Sequence, residues 1–415
     1  MNMELLNFKY HNCIDDKNQN EFDKLINKIL DNDFKNDLSK FQFLNEVYDH
    51  IEIDQINILS DRFKNSFNYF CIIGIGGSIL GAQSLIGLIP GIQEKKINFF
   101  YDIDPISFHH NLNIVNLVET GFVIISKSGS TPETMGQLGA LLKIFEEKKL
   151  SHLIQKNLVI ITEDKDSPLT FIAKKFKIST LTHHKNIGGR FSVFSNVSLF
   201  PASLIGGNLI NFRKGGKKIL DDLLNNRDKK SIEGAVISVL MHKIYNMNIN
   251  ILFTYSDSLK NFGQWYRQLW SESIGKNGYG TTPFHSIGTV DQHSQLQLFL
   301  DGPRDKFFTI IKTNHINKGP VMHEAILKES GMDYLAGKKI GDLMEAEQNA
   351  TLQTLINKKL PVREIFIKEI NYESLGSLMM YYFLEVIFVG KILNIDIFNQ
   401  PAVEEAKILT KKYLF

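Results

Sequence analysis

Short apolar runs that alternate with longer polar, helix-like stretches constrain this chain more than any other feature. Tyr69 to Ile75, Ile97 to Tyr101, Gly121 to Ser126 and Leu158 to Thr162 are such runs. Each is strand-length, and each is followed by a stretch with helical character. That alternation predicts a parallel sheet with helices on both faces. A second series follows in Asn250 to Tyr255, Lys306 to Lys312 and Glu364 to Ile370. At 415 residues and 43% hydrophobic content, the chain can bury a large core and is long enough for two or three domains. Two similar αβα units place a cleft between them, near the C-terminal ends of the strands. Residues up to about 60 show apolar positions at helical spacing and are expected to form surface helices. Gly215-Gly216 and the charged stretch Asp221 to Lys230 suggest a linker or an exposed helix.

Charge and cysteine content exclude several classes. Forty-seven Lys and Arg against 45 Asp and Glu leave a net charge of +2, which offers no basic field for nucleic acid. Cys13 and Cys71 are the only cysteines. They make neither a disulfide framework nor a paired zinc spacing, and a reducing compartment is the default. The opening residues lack the basic start and apolar core of a signal peptide. Leu378 to Gly390 is interrupted by Glu385 and followed by Lys391, too short and too charged to span a bilayer. The expectation is a cytoplasmic protein with no membrane partner.

Several motifs could carry chemistry. Ser126-Lys127-Ser128-Gly129-Ser130-Thr131-Pro132-Glu133-Thr134 follows a buried strand and enters a helix at Pro132. Free backbone N–H groups and the positive end of the helix dipole meet a row of hydroxyls there, which is a seat for phosphate. The same residues also suit an ordinary Ser/Thr-capped turn. Gly74-Ile75-Gly76-Gly77-Ser78-Ile79-Leu80-Gly81 invites a dinucleotide reading, but Ile79 stands where G-x-G-x-x-G needs its third glycine. Ala82 likewise stands where a P-loop needs lysine. What survives is a turn whose backbone can approach a ligand, with Ser78 as donor.

Gln264, Gln268 and Glu272 recur every four residues and form one polar stripe on a helix that ends at Gly275-Lys276. Glu272 in the last turn should have a somewhat raised pKa, which suits a general base; a solvated surface glutamate fits the pattern too. Arg190 follows Gly188-Gly189, where it could stabilise an oxyanion or contact phosphate, or simply lie on the surface. Thr289 and Gln292 predict a capping box with His293 in the first helical turn, where the dipole disfavours imidazolium. His323-Glu324 lacks the second histidine of a zinc motif. Phe398-Asn399-Gln400-Pro401 predicts a helix starting at the proline, with Lys407 two turns along it.

In their order along the chain these motifs resemble the glucose-6-phosphate isomerase (phosphoglucose isomerase) family. The likeness rests on Gly74 to Gly81, Ser126 to Thr134, Gly188-Gly189-Arg190-Phe191-Ser192, Glu272-Ser273-Ile274-Gly275-Lys276, Gln292-His293 and Phe398 to Lys407. It runs from about residue 40 to the end. The chain is shorter than the long forms of that family. Its closing motif reads Gln400-Pro401-Ala402-Val403-Glu404-Glu405-Ala406-Lys407, where Trp-Gly often follows the glutamine and Leu-Gly precedes the lysine.

The resemblance implies two αβα sandwich domains of the sugar-isomerase (SIS) type with parallel-rich sheets, and helical segments at both ends. Residues 1–40 would be the N-terminal helical segment, 41–210 the first domain and 211–395 the second. Residues 396–415 would be a C-terminal helix completing the active site. It implies reversible aldose–ketose isomerisation of glucose 6-phosphate through an enediol, without metal or organic cofactor. Gly77, Ser78, Ser126, Lys127, Ser128 and Thr131 would line the sugar-phosphate site, with Gln268 and Gln400 contacting substrate. Glu272 would be the base, and Arg190 would stabilise the enediolate. His293 and Lys407 would assist ring opening. In the family the histidine reaches the neighbouring subunit's site, so a homodimer is implied, with Glu133 able to pair with that histidine. Three rival readings are a dual-specificity isomerase that also takes mannose 6-phosphate, a non-catalytic phosphosugar sensor and a dinucleotide-dependent oxidoreductase. Gln268 argues against the first, the joint presence of Glu272, His293 and Lys407 against the second, and Ile79 against the third.

Overall fold

The computed structural model describes residues 5–30, 34–89 and 97–415. Its strands are β1 (Asn7–His11), β2 (Tyr69–Ile73), β3 (Ile97–Phe100), β4 (Thr120–Ile125), β5 (Leu158–Thr162), β6 (Ser179–Thr182), β7 (Ile249–Thr254), β8 (Thr282–Ile287), β9 (Lys306–Thr313) and β10 (Val362–Ile367). The first sheet runs β3-β2-β4-β5-β6 and is parallel throughout. The second runs β8-β7-β9-β10, also parallel, with β1 added antiparallel to β10. In both sheets the first parallel strand lies between the second and the third, so the two halves share one doubly wound topology. The crevice in such a sheet opens where the winding reverses, between β2 and β4 in the first.

The central strands are apolar on both faces because both faces are covered. Every residue of β4 is buried. Its Val123 and Ile125 enter one core with Ile72 and Val159, while Phe122 and Ile124 enter another with Cys71 and Ile160. The core holding Val123 and Ile125 also takes Ile311 of β9 and Ile365 and Ile367 of β10. One continuous apolar layer therefore joins the two sheets. Its spine is the helix Tyr372–Leu393, long and apolar enough to cross a bilayer but buried over nearly its whole length. Glu385, inside that helix, is satisfied by Arg363 and Ser238 rather than by solvent.

Two expectations need correction. Residues 1–40 are not wholly helical. Leu6, Phe8 and Tyr10 alternate with Asn7, Lys9 and His11, a period of two, and the segment forms β1 at the edge of the second sheet. Phe8 packs on Tyr381, with ring centroids 4.6 Å apart. Of the two readings of Gly215-Gly216, linker or exposed helix, the helix holds but the pair is buried in the middle of Leu209–Leu224, so a boundary at residue 211 cuts a helix. A Cβ on Gly215 would fall 1.8 Å from the Glu373 carbonyl oxygen, and one on Gly376 1.9 Å from that of Phe212. The glycines let this helix touch the spine backbone to backbone. The edge strands β6 and β8 were also not legible in the sequence. Ser179–Thr182 and Thr282–Ile287 are half-exposed and lack an apolar run.

A buried charge cluster ties the start of the first domain to the helix Leu209–Leu224. Arg213 lies between Glu46 and Glu52, with its Nε donating to the Phe194 carbonyl at 3.0 Å. Two carboxylates share one guanidinium. Burial, then the charge of Glu52, pushes Glu46 up to about 7. The folded chain thus holds a proton that the unfolded chain releases near pH 4.5. This contribution is complete below that pH and is lost as pH rises towards 7. Glu46→Gln should stabilise the protein at pH 8 relative to wild type by on the order of 2 kcal/mol, and change little at pH 4.5. Thermal melts across that window check it; parallel pH profiles for variant and wild type would overturn it.

Candidate active site

Two loops leave neighbouring strands at the reversal point of the first sheet. The turn Gly74–Ser78 follows β2, and Ser126–Thr131 follows β4. They touch at their bases, since a Cβ on Gly74 would lie 3.1 Å from the Ile125 carbonyl oxygen. At its tip the first turn meets the loop that carries Arg190. A Cβ on Gly77 would fall 2.3 Å from the carbonyl carbon of Gly189, so no side chain fits there. Ser192 Oγ seals the junction by donating to the Gly77 carbonyl at 3.1 Å. On its other side the turn faces the second domain: a Cβ on Gly76 would sit 3.0 Å from Gln268 Nε2. The glycine turn is the bridge between the hydroxyl-rich loop and the Gln268–Glu272 helix.

The hydroxyl-rich loop is ordered by its own side chains. Ser126 Oγ and Thr131 Oγ1 lie 2.9 Å apart, and Ser126 Oγ accepts from the Gly129 N–H at 3.2 Å. Ser128 Oγ accepts from the Ser130 N–H at 3.3 Å. Thr131 is the N-cap of the helix Pro132–Glu147, yet its side chain makes no capping bond. The first-turn N–H groups are thus not consumed by the cap that the sequence also allowed. Thr134 Oγ1 points from that turn, buried and without a partner among the described residues. Thr134 closes the hydroxyl-rich motif of the sequence but is not among the residues expected to line the phosphate site. Lys127 flanks the loop with its Nζ 3.5 Å from Glu163. Burial pushes Glu163 up, but the hydrogen bond from Lys165 and the charge of Lys127 outweigh it, and its carboxyl lies below the usual range. Ser78 is half-buried at the end of the glycine turn.

Glu272 is the focus of the second half. It sits at the end of the helix Lys260–Ile274, whose Phe262, Trp265, Tyr266, Leu269 and Trp270 are buried, turning the polar stripe toward the cleft. Three donors converge on its carboxylate, one from the preceding turn of the same helix and two from distant parts of the chain. Gln268 Nε2 donates to Oε1 at 2.9 Å, Gln400 Nε2 to Oε2 at 2.7 Å and Arg190 to Oε2 at 3.2 Å. Its side chain remains 30% exposed, so the carboxylate is oriented yet reachable. Gln268 Oε1 is buried and accepts nothing among the described residues, leaving an acceptor beside the carboxylate.

Arg190 is buried to 3% exposure, and each of its three side-chain nitrogens has a partner. Its Nε donates to Ser273 Oγ at 2.8 Å, and its remaining nitrogens reach Glu272 and the Ile397 carbonyl. Burial pushes the guanidinium below its usual value and the adjacent Glu272 pulls it back; it stays cationic at any physiological pH. Lys276 donates to the Asp396 carbonyl and pins the last segment to the same place. Neither Ser273 nor the Ile397 carbonyl carried a signal of its role in the sequence. The backbone role of Ile397 depends on a fold in which residue 397 returns to residue 190.

Two expected members are not brought in by a single chain. His293 is exposed on the five-residue helix Val290–Ser294 and makes no hydrogen bond or ion pair among the described residues. The predicted capping box is absent. Tyr255 OH donates to Gln292 Oε1 at 2.8 Å and draws it away, while Asp291 accepts from the Ile287 N–H. The helix has only five residues, and His293 lies toward its C-terminal end rather than at its start. Lys407 also stands apart. After a tight turn at Pro401–Val403, the helix Glu404–Leu414 is exposed throughout, and Lys407 pairs with Glu404 at 2.7 Å. Gln400, just before that helix, is what the C-terminal segment delivers to Glu272. Glu133 has no ion pair among the described residues.

A cationic arginine held against an oriented carboxylate, beside a glycine turn and a hydroxyl-lined helix entrance, can bind an anionic ester, move a proton and stabilise an oxyanion. A family model described as phosphoglucose isomerase matches residues 57–414. The chain is similar to the glucose-6-phosphate isomerase of Methanocaldococcus jannaschii, at 33% identity over 97% of this chain and 98% of that one. Among solved structures, a hypothetical protein from Thermus thermophilus superposes with a TM-score of 0.85 at 25% identity, covering 98% of this chain and 100% of that one. A glucose-6-phosphate isomerase from Chlamydia trachomatis superposes with a TM-score of 0.86 at 21% identity, covering 99% and 89%.

Proposed function

The chain belongs to the phosphoglucose isomerase family and interconverts glucose 6-phosphate and fructose 6-phosphate, and from that premise we propose how its residues divide the reaction. The observation that carries the reading is the Glu272 carboxylate, held by donors from residues 190, 268 and 400. Glu272 takes the proton from C2 of the open-chain aldose and returns it to C1. The charge that develops on the enediolate oxygens falls beside Arg190, whose fixed position costs no reorganisation. Gly77, Ser78, Ser126, Lys127, Ser128 and Thr131, with Thr134 behind them, hold the phosphate. The phosphate undergoes no chemistry, so its binding energy serves to hold C1 and C2 against the base. Gln268 and Gln400 take the sugar hydroxyls while keeping Glu272 aligned. The reaction belongs to glycolysis and gluconeogenesis, and we place it in the cytoplasm.

His293 and Lys407 open the sugar ring, with His293 supplied by a second copy of the chain. Three features support a homodimer. His293 is exposed and unpaired among the described residues, and Glu133 in the first turn of the phosphate-seat helix is equally without an ion pair there. The excursion between β9 and the helix Ile340–Asn357 exposes Ile316, Val321, Ile326 and Tyr334. The helix Glu404–Leu414 exposes Ile408, Tyr413 and Leu414. Exposed apolar side chains on these two segments suit an interface between copies of the chain. Mixing Glu272→Gln and His293→Ala proteins, each inactive alone, tests the shared site. After subunit exchange the mixture should regain about a quarter of wild-type activity, because half of the dimers carry one site with both groups intact. No regain after verified exchange would overturn it.

A further inference from the structure

The N-terminal edge of the first sheet, opposite the edge that carries the active site, holds a cavity of about 310 Å³ with an unusual lining. Arg62, His152, Lys156 and Lys177 line it, together with Ser66 and Ser179. Three separate parts of the chain supply them. Arg62 and Ser66 end the helix His50–Ser66 before β2, His152 and Lys156 lie in the turns before β5, and Lys177 and Ser179 lead into β6. Among the described residues no carboxylate lines the cavity, and none of the four basic side chains has an ion pair. Many other basic side chains do have one: Lys64 lies 2.9 Å from Asp61 and Lys143 3.0 Å from Glu146.

Two of the four are also positioned. Arg62 donates to Ser179 Oγ at 2.8 Å, and the Lys156 ammonium stands 5.5 Å from the centre of the Phe67 ring. A guanidinium anchored at one nitrogen leaves its other N–H groups free to fork onto an anion. We propose that this cavity is a second anion site, taking a small phosphate-bearing ligand separately from the sugar phosphate at the catalytic cleft. The phosphate oxygens accept from Arg62, Lys156 and Lys177, with Ser66 as neutral donor. The volume lies near the lower end of ligand pockets and suits a diphosphate or a short phosphomonoester rather than a whole nucleotide.

The test is equilibrium dialysis of inorganic pyrophosphate against the intact chain at physiological ionic strength, with saturating fructose 6-phosphate occupying the catalytic cleft. The wild type should bind one pyrophosphate per chain. Arg62→Ala/Lys156→Ala should weaken that binding about tenfold or more and leave isomerase turnover unchanged. The control Lys174→Ala/Lys175→Ala, on the neighbouring helix but outside the cavity, should bind as the wild type does. Should the double variant melt early, the single Lys156→Gln, at an exposed position, carries the same test. Competing glycerol 3-phosphate ranks a monoester against a diphosphate, and displacement by it supports the site. No pyrophosphate bound with the cleft filled would overturn the proposal. So would equal weakening in the control, which would mark a diffuse basic surface.

Discussion

Replacing Glu272 by glutamine should lower turnover of glucose 6-phosphate about 10²–10⁴-fold, the usual worth of a positioned general base. The amide keeps the shape of the side chain and its place among Gln268, Gln400 and Arg190, but it cannot accept the C2 proton. The phosphate seat lies on different strands and is untouched. Fructose 6-phosphate should therefore bind within a few-fold of its wild-type affinity, and the loss should fall on kcat rather than KM. A coupled assay in each direction, with solvent exchange of the C2 proton as second readout, checks this. A variant with near wild-type turnover would remove Glu272 from the reaction.

Arg363→Leu should be the most damaging single change to stability. Arg363 and Glu385 are fully buried, and one guanidinium nitrogen lies 2.8 and 2.9 Å from the two carboxylate oxygens. Arg363 also donates to Thr309 Oγ1 at 3.0 Å and to Tyr381 OH at 2.9 Å. Removing it leaves a carboxylate in an apolar layer with only Ser238 as donor among the described residues. The expected cost is about 3–5 kcal/mol. Removing both charges in Arg363→Leu/Glu385→Leu should restore most of that loss, because no uncompensated charge remains. Urea midpoints for the wild type, the single and the double variant separate these outcomes. A single variant as stable as wild type would show that the pair holds nothing together.

Much of the frame was legible in the sequence because its signal is local. Continuous apolar runs mark strands covered on both faces, and β2, β4, β5, β7, β9 and β10 lie where those runs are. The edge strands were not legible, since Ser179–Thr182 and Thr282–Ile287 bury too little to show a pattern. The Gly215-Gly216 pair misleads for a different reason. Adjacent glycines read as freedom, but here they are demanded by the spine helix, whose backbone passes them at Glu373 and Gly376. At the site, Glu272, Arg190, Gln268 and Gln400 were named from their motifs, and the fold draws all four together. Ser273 and the Ile397 carbonyl were not legible, because their roles exist only once residues 190, 273 and 397 meet. His293 and Lys407 lie beyond what one chain assembles.

The antiparallel β1 has a consequence for how the molecule is made. Its His11 meets Glu364 across a separation of 353 residues. Strand β1 therefore waits, without its partner, until β10 has left the ribosome, long after the earlier sheet has every strand it needs. Contacts so distant in sequence are slow to close. The second sheet is thus closed late, by a clasp between strands far apart in the chain, and a nascent chain stalled before residue 362 would expose an open sheet edge to aggregation.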